Sequence, residues 1–243
     1  MRVSVVLTPA EILSLAAANL SETTAVVFDV LRATSTMTMA LHHGAAAIYP
    51  AKDIAEAHAL KEKHPDALLG GERHGEIISG FDLGNSPLEY NNVTGREIIS
   101  TTTNGTIALR AVTHAGMVIA GSLLNISAMA SWLAAHQPAK LLMVCAGTGN
   151  DFAIEDALGA GALLHDLTSR NELKLQPSDA AKMLLTLWNT HRNDVPSVLA
   201  NSRNGSRLCE RGRTAEVECC AQLSVFQTVG ILSGDALRPH LVP

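Results

Sequence analysis

The chain has 243 residues, of which 47% are hydrophobic and 17% charged, enough apolar matter for a packed core without disulfide or metal staples. A formal net charge of −5 and an aromatic content of 3% exclude the basic footprint and the base-stacking platforms of a nucleic-acid-binding protein. No apolar run approaches the ~18 residues of a membrane span, no leader pattern is visible at the N-terminus, and Cys145, Cys209, Cys219 and Cys220 form no CxxC, which predicts a reducing, cytoplasmic setting.

Val3 to Leu7 predicts a first strand, and Thr8-Pro9-Ala10-Glu11 a helix start with Thr as cap, Pro in the first turn and Glu closing a capping box. Ala25 to Phe28 reads as a second strand, apolar without a break and so buried on both faces. A helix is predicted from Thr34 to His42, a strand from Ala46 to Tyr49, and a helix capped by Asp53 that ends before Pro65. A short strand from Ala67 to Leu69 runs into Gly70-Gly71-Glu72-Arg73; His74 to Asn85 reads as irregular, and Ser86-Pro87-Leu88-Glu89 signals a short helix. Strands at Ile98–Ser100, Met117–Ala120 and Leu141–Val144 alternate with helices at Ile107–His114, Ile126–His136 and Ile154–Leu167. The C-terminal part reads as mainly helical, with Ser178 to Trp188 its clearest segment.

This alternation predicts a three-layer α/β fold, a mostly parallel sheet with helices on both faces. One domain is expected over residues 1–243, with a weak candidate subdomain boundary at Arg170–Pro177. Right-handed crossovers place successive βα loops on one edge of such a sheet, so Arg32 and Thr103 are expected on the same side.

Four of those loops are polar and glycine-rich, at the strand ends where helix N-termini offer free N–H groups. In Asp29-Val30-Leu31-Arg32-Ala33-Thr34-Ser35-Thr36, an acid directly after a buried strand needs a partner or a cation, and Arg32 can grip an anion with two parallel hydrogen bonds. An Asp–Arg ion pair with an ordinary helix cap accounts for the same residues. Gly70-Gly71-Glu72-Arg73-His74-Gly75 lets backbone come close to a ligand, or is a solvated turn. Thr101-Thr102-Thr103-Asn104-Gly105-Thr106 offers hydroxyls and an amide to phosphate or sulfonate oxygens without being a Walker loop. Ala146-Gly147-Thr148-Gly149-Asn150-Asp151 lacks the third glycine of a dinucleotide site. Glu155 and Asp156 follow it, as first-turn acids favoured by the helix dipole or as oxygen ligands for Mg²⁺. GxSxG and HExxH are absent, and Cys145 at the end of a buried strand reads as core.

Taken together, DVLRATST (Asp29–Thr36), LGGER (Leu69–Arg73), GFDLGNSPLEY (Gly80–Tyr90), TTTNGT (Thr101–Thr106) and AGTGNDFAIEDALGAG (Ala146–Gly161) resemble the 2-phosphosulfolactate phosphatase family, from Val3 to Leu167. The resemblance implies a Mg²⁺-dependent phosphatase converting (2R)-2-phospho-3-sulfolactate to (2R)-3-sulfolactate and phosphate, as in coenzyme M biosynthesis. Two positions depart from the expected pattern: His74 stands where a Gly follows GER, and Ile107 where an Arg follows TTTNGT.

On this basis Asp29, Glu72 and Asp156, with Glu155 as alternate, are the expected Mg²⁺ ligands, and Arg32 and Arg73 the expected binders of phosphate or sulfonate. Thr34, Ser35, Asn85, Thr103, Asn104, Gly105, Thr106 and Gly147 are expected around the substrate. In the Gly80–Tyr90 loop, Phe81 and Leu83 are expected to pin the core, leaving Asp82, Asn85 and Ser86 near the ligand. Position 31 is Leu, so the DxD pair of aspartyl-phosphate enzymes is missing and attack by metal-activated water is favoured over a nucleophilic Asp29. The expected partners are a small anionic phosphorylated substrate and at most a second copy of the chain in a homodimer, with no nucleic acid and no membrane. Two other readings share much of this pattern: a phosphatase of another small 2-phospho acid, and a non-catalytic protein that binds an anionic metabolite. Carboxylates clustered beside anion donors favour an enzyme.

Overall fold

The computed structural model describes residues 1–170 and 173–242; residues 171 and 172 of the expected subdomain boundary lie outside the described residues. The chain runs β1 (Arg2–Val6), α1 (Pro9–Leu15), β2 (Thr23–Phe28), α2 (Ala33–His42), β3 (Ala47–Pro50), α3 (Ile54–Lys63), β4 (Leu68–Arg73) and β5 (Glu76–Ile77). It continues through β6 (Glu97–Thr101), α4 (Gly105–Ala111), β7 (Met117–Gly121), α5 (Ile126–His136), β8 (Lys140–Cys145), α6 (Ile154–Ser169) and β9 (Gln176–Pro177). Helices α7 (Asp179–His191), α8 (Val195–Asn201), α9 (Arg203–Glu210) and α10 (Thr214–Cys220) precede a closing hairpin of β10 (Thr228–Ser233) and β11 (Ala236–Leu241). Several starts follow local chemistry. The Glu11 carboxylate accepts the Thr8 N–H at 3.0 Å, the Asp53 carboxylate accepts the Glu56 N–H at 2.8 Å, and Ser178 Oγ accepts the Ala181 N–H at 3.2 Å.

Strand β2 shows why the fold has three layers. All six of its residues are buried. Val26 and Phe28 join one core with residues of α5, α6 and α7, while Ala25 and Val27 join another with residues of α1, α2 and α4. Side chains alternate across a strand, so an unbroken apolar run requires a layer on each side.

Among the described residues the sheet has the strand order β5-β4-β6-β3-β11-β10-β7-β2-β8-β1-β9. Strands β7, β2, β8 and β1 pair parallel in one block, and β4, β6 and β3 in another. The β10–β11 hairpin joins the blocks, antiparallel to β7 on one side and to β3 on the other.

The sequence reading finds the C-terminal helices but misses this hairpin. Its signal is the Gly234-Asp235 turn between two short runs, obscured by Pro239 within β11. The predicted strand at Ala67–Leu69 extends to Arg73, so Gly70 to Arg73 belong to a strand rather than a loop. Gly71 is needed there. Its φ is +143°, and a Cβ would lie 2.0 Å from the Thr101 carbonyl oxygen on β6.

The hairpin also changes how the loops come together. Three antiparallel junctions reverse one parallel block relative to the other, so the crossover rule holds only within each block. Strand twist accumulated between β2 and β6 lets the ends of oppositely running strands meet. The meeting is close: a Cβ on Gly105, just after β6, would lie 2.7 Å from Asp29 Oδ2, just after β2. No described helix is long and apolar enough to cross a membrane.

Candidate active site

The ends of β2, β4 and β6, the loop after β8, and helix α9 enclose a cleft of about 400 Å³. Asp29, Arg32, Glu72, Asn85, Thr103 and Asn104 all line it, as do His74, Gly75, Thr148 and Gly149. Arg32 and Thr103 therefore face the same space.

Asp29 is buried and lines this cleft. Its Oδ1 accepts the Ala33 N–H at 3.2 Å, from the first residue of α2, and the Gly105 amide of α4 is a second backbone donor. Burial pushes the carboxyl up to about 7; the charges of Glu72 and Glu155 add to this and the two amides oppose it. Glu72 is also buried, with three donors. Its Oε1 accepts the N–H and the hydroxyl of Thr103, both at 2.8 Å, and its Oε2 accepts the Gly75 N–H at 2.6 Å.

The Gly75 donor sits in the turn of the β4–β5 hairpin, where Glu72 pairs with Ile77 and Arg73 with Glu76. The two turn residues, His74 and Gly75, have φ of 56° and 82°, the signs that a two-residue type I′ turn requires. That backbone explains why a Gly is expected at position 74.

Asp156 and Glu155 stand differently from the sequence expectation. Neither lines the cleft. Asp156 Oδ1 accepts the Val30 N–H at 2.8 Å and its Oδ2 the Gly147 N–H at 3.0 Å, so it braces the β2–α2 loop against the β8–α6 loop. Burial, then the charges of Asp29 and Glu155, pushes its carboxyl well above the usual range. Glu155 Oε1 accepts from Asn204 Nδ2 at 2.6 Å and lines a neighbouring small pocket. Gly147 contributes its amide to Asp156 and does not line the cleft.

Several expected ligand donors are engaged within the protein. Thr34 Oγ1 accepts the Asp29 N–H at 3.0 Å, Ser35 Oγ donates to the Val30 carbonyl at 2.8 Å, and Thr106 Oγ1 donates to the Thr102 carbonyl at 3.0 Å. None of the three lines the cleft. They order the loops, as short hydroxyl side chains near helix starts do. Thr103 lines the cleft, but its N–H and hydroxyl proton both point to Glu72. Gly105 permits close approach: a Cβ there would meet Ala33 Cβ at 2.6 Å as well as Asp29. Asn85 and Asn104 line the cleft with no side-chain hydrogen bond to another described residue. In the loop containing Asn85, Phe81 is buried and Leu83 partly so, but Asp82 Oδ2 accepts the Leu69 N–H at 2.8 Å and Ser86 does not line the cleft.

The arginines also differ from expectation. Arg32 lines the cleft and is paired with Glu216 of α10, and its Nη2 donates to the Gly75 carbonyl at 3.3 Å. Arg73 turns to β6, with Nη2 donating to Thr101 Oγ1 at 3.0 Å, and does not line the cleft. Sequence reading missed the wall built by α9 and the residue that caps it: Asn204, Arg207, Leu208 and Arg211 all line the cleft. Their spacing of i, i+3, i+4 and i+7 is one helix face, a signal present in the sequence but unreadable without a reason to suspect that helix. Cys145 is core, as expected, and burial, then the Asp156 charge, pushes its thiol up, away from a nucleophilic thiolate.

Among the described residues no group of three or more His, Cys, Asp or Glu side chains is arranged to hold a metal ion. The expected four-carboxylate set therefore narrows to Asp29 and Glu72, the two acids that line the cleft. Two buried carboxylates that raise one another's energy suit Mg²⁺, which takes one or two carboxylates and fills its shell with water and phosphate oxygens.

The comparisons with known proteins fit this site. A family model described as 2-phosphosulpholactate phosphatase matches residues 8–235. A protein of Carboxydothermus hydrogenoformans named "Probable 2-phosphosulfolactate phosphatase" is 42% identical over 211 residues, covering 87% of each chain. Proteins of the same name from Thermotoga petrophila and Caldanaerobacter subterraneus subsp. tengcongensis are 40% and 38% identical, covering 86% and 90% of this chain and 88% and 92% of theirs. The match reaches through α9 and α10, beyond the span of the sequence resemblance. The chain belongs to the 2-phosphosulpholactate phosphatase family, a family of phosphoric monoester hydrolases.

Proposed function

We propose that this protein hydrolyses (2R)-2-phospho-3-sulfolactate to (2R)-3-sulfolactate and phosphate, the reaction that serves coenzyme M biosynthesis, with Mg²⁺ held by Asp29 and Glu72. The observation that carries this reading is the placement of those two buried carboxylates in one cleft with the amides of Asn85 and Asn104 and with guanidinium groups. Family membership supports the substrate.

The substrate carries phosphate, carboxylate and sulfonate on three adjacent carbons. Positioning and charge stabilisation must supply most of the acceleration in breaking its ester bond. Mg²⁺, when bound, offsets phosphoryl charge and lowers the pKa of a bound water. Thr103 and the Gly75 amide fix the Glu72 carboxylate, and the Ala33 and Gly105 amides fix that of Asp29. Asn104, at the start of α4 and with its side-chain amide free, donates to a phosphoryl oxygen. Water rather than Asp29 attacks phosphorus, since position 31 is Leu and offers no second acid to serve an aspartyl-phosphate.

A second reading, a phosphatase of another small 2-phospho acid, is favoured by Ile107. That residue stands where the resemblance expects a cation, is 46% exposed on α4 and lies outside the cleft. The test is phosphate release from a panel of phosphorylated hydroxy acids, with Mg²⁺ and with EDTA. The proposal expects 2-phosphosulfolactate to give the highest kcat/KM and EDTA to abolish it. Preference for another 2-phospho acid supports the second reading, and no release from any of them indicates an anion-binding protein.

A further inference from the structure

Three arginines near the cleft are already committed. Arg32 is paired with Glu216, Arg211 donates to the His74 carbonyl at 2.8 Å and to Glu76 at 3.3 Å, and Arg73 is turned to Thr101. Arg207 is different. It lines the cleft, it is exposed, and its side chain makes no hydrogen bond or ion pair with another described residue. The helix that carries it is nonetheless fixed. Asn204 Nδ2 reaches Thr148 Oγ1 and Glu155 Oε1, both at 2.6 Å, Leu208 is buried, and Arg203 pairs with Asp151 at 2.6 Å. A free guanidinium is thus carried by an anchored helix and lines the same cleft as two buried carboxylates.

A guanidinium matches a planar carboxylate or a sulfonate with parallel hydrogen bonds, and a committed one cannot do so without losing its present partner. In the reaction proposed above, Asp29, Glu72 and Asn104, which line the same cleft, serve the phosphoryl group and leave Arg207 for another part of the substrate. We propose that Arg207 binds an oxyanion of the substrate that is not transferred, the carboxylate or the sulfonate, and so selects esters that carry a further negative charge. This rests on the phosphatase reading above.

The test compares wild type with Arg207→Ala and Arg207→Lys on three phosphate esters: 2-phosphosulfolactate, 2-phospholactate (without sulfonate) and isopropyl phosphate (without either group). Loss of a charge-assisted hydrogen bond in Arg207→Ala raises KM for 2-phosphosulfolactate by about 10- to 100-fold. The decrease in kcat is smaller, and Lys restores only part of the loss. The defect disappears on isopropyl phosphate. If it also disappears on 2-phospholactate the oxyanion is the sulfonate, and if it persists there it is the carboxylate.

A second measurement needs no turnover. Calorimetric titration with 3-sulfolactate shows a Kd raised about 10-fold or more in Arg207→Ala, while the Kd for inorganic phosphate is unchanged. Should Arg207→Ala fail to fold, Arg207→Gln carries the same comparison. An equal loss on all three esters, or an unchanged affinity for 3-sulfolactate, overturns the inference. Absence of phosphate release by the wild type overturns the functional reading instead, and the sulfolactate titration still reports on Arg207.

Discussion

Glu72 Oε1 accepts both the backbone N–H and the hydroxyl of Thr103, each at 2.8 Å. This one carboxylate oxygen ties the end of β4 to the loop between β6 and α4, and aims Glu72 into the cleft beside Asp29. Thr103 is therefore a positioning residue. Thr103→Val keeps the backbone bond and loses the hydroxyl, and a partner that orients a metal-ligating group is worth about 10- to 100-fold in metal affinity or activity. The expected outcome is a loss of that size, with a right-shifted Mg²⁺ dependence of phosphate release. Thr103→Ser should return to near wild-type values.

Asp29 makes the metal-free protein pH-sensitive. Its folded pKa, about 7, lies above the ordinary aspartate value of ~3.9. A group raised on folding stabilises the folded state fully below its unfolded pKa, and that contribution is lost as pH rises through the folded pKa. Stability without Mg²⁺ should therefore fall between about pH 4 and pH 7. Asp29→Asn should flatten that slope and be the more stable protein at pH 8 in EDTA. Thermal melts of both proteins across this range check the expectation, and Mg²⁺ should raise the melting temperature of the wild type more than that of the variant.

Arg32 and Glu216 form a buried ion pair between the β2–α2 loop and α10. Removing one partner of such a pair leaves an uncompensated charge and costs about 3–5 kcal/mol. Glu216→Ala should lower the melting temperature by roughly 6–20 °C at 2–4 °C per kcal/mol. Because Arg32 lines the cleft, KM should change as well. Replacing both residues with apolar ones of similar volume should recover stability without recovering activity.

At Gly105 the start of α4 comes against Asp29. With a Cβ contact of 2.7 Å to Asp29 Oδ2 and 2.6 Å to Ala33 Cβ, Gly105→Ala forces one of these groups to move. Overpacking of this kind costs about 1–3 kcal/mol. A displaced Asp29 should lower kcat more than that stability loss explains. Chemical denaturation and phosphate release measured on the same preparation separate the two effects.

Much of the scaffold could be read from short-range patterns. The run Ala25 to Phe28 announces a strand buried on both faces, and Asp29 directly after it announces a charge in need of a partner or a cation. Other features were not legible because their cause is distant in sequence. Nothing near Arg32 reveals Glu216, 184 residues away, and nothing near Asn204, Arg207 and Arg211 shows that their helix face closes a cleft made by strand ends and loops far earlier in the chain. The hydroxyls of Thr34, Ser35 and Thr106 looked free for a ligand, yet each bonds to backbone four or five residues away. That spacing, such as Thr102 with Thr106, is itself a local sign of loop ordering.

The central claim, that Asp29 serves phosphoester hydrolysis as a Mg²⁺ ligand, is tested most directly by phosphate release from 2-phosphosulfolactate by wild type and Asp29→Asn across a Mg²⁺ titration. The account predicts that the variant keeps its fold, that kcat falls by about 10²-fold or more at ordinary Mg²⁺, and that excess Mg²⁺ restores part of the loss. Near wild-type turnover by Asp29→Asn at ordinary Mg²⁺ would contradict it.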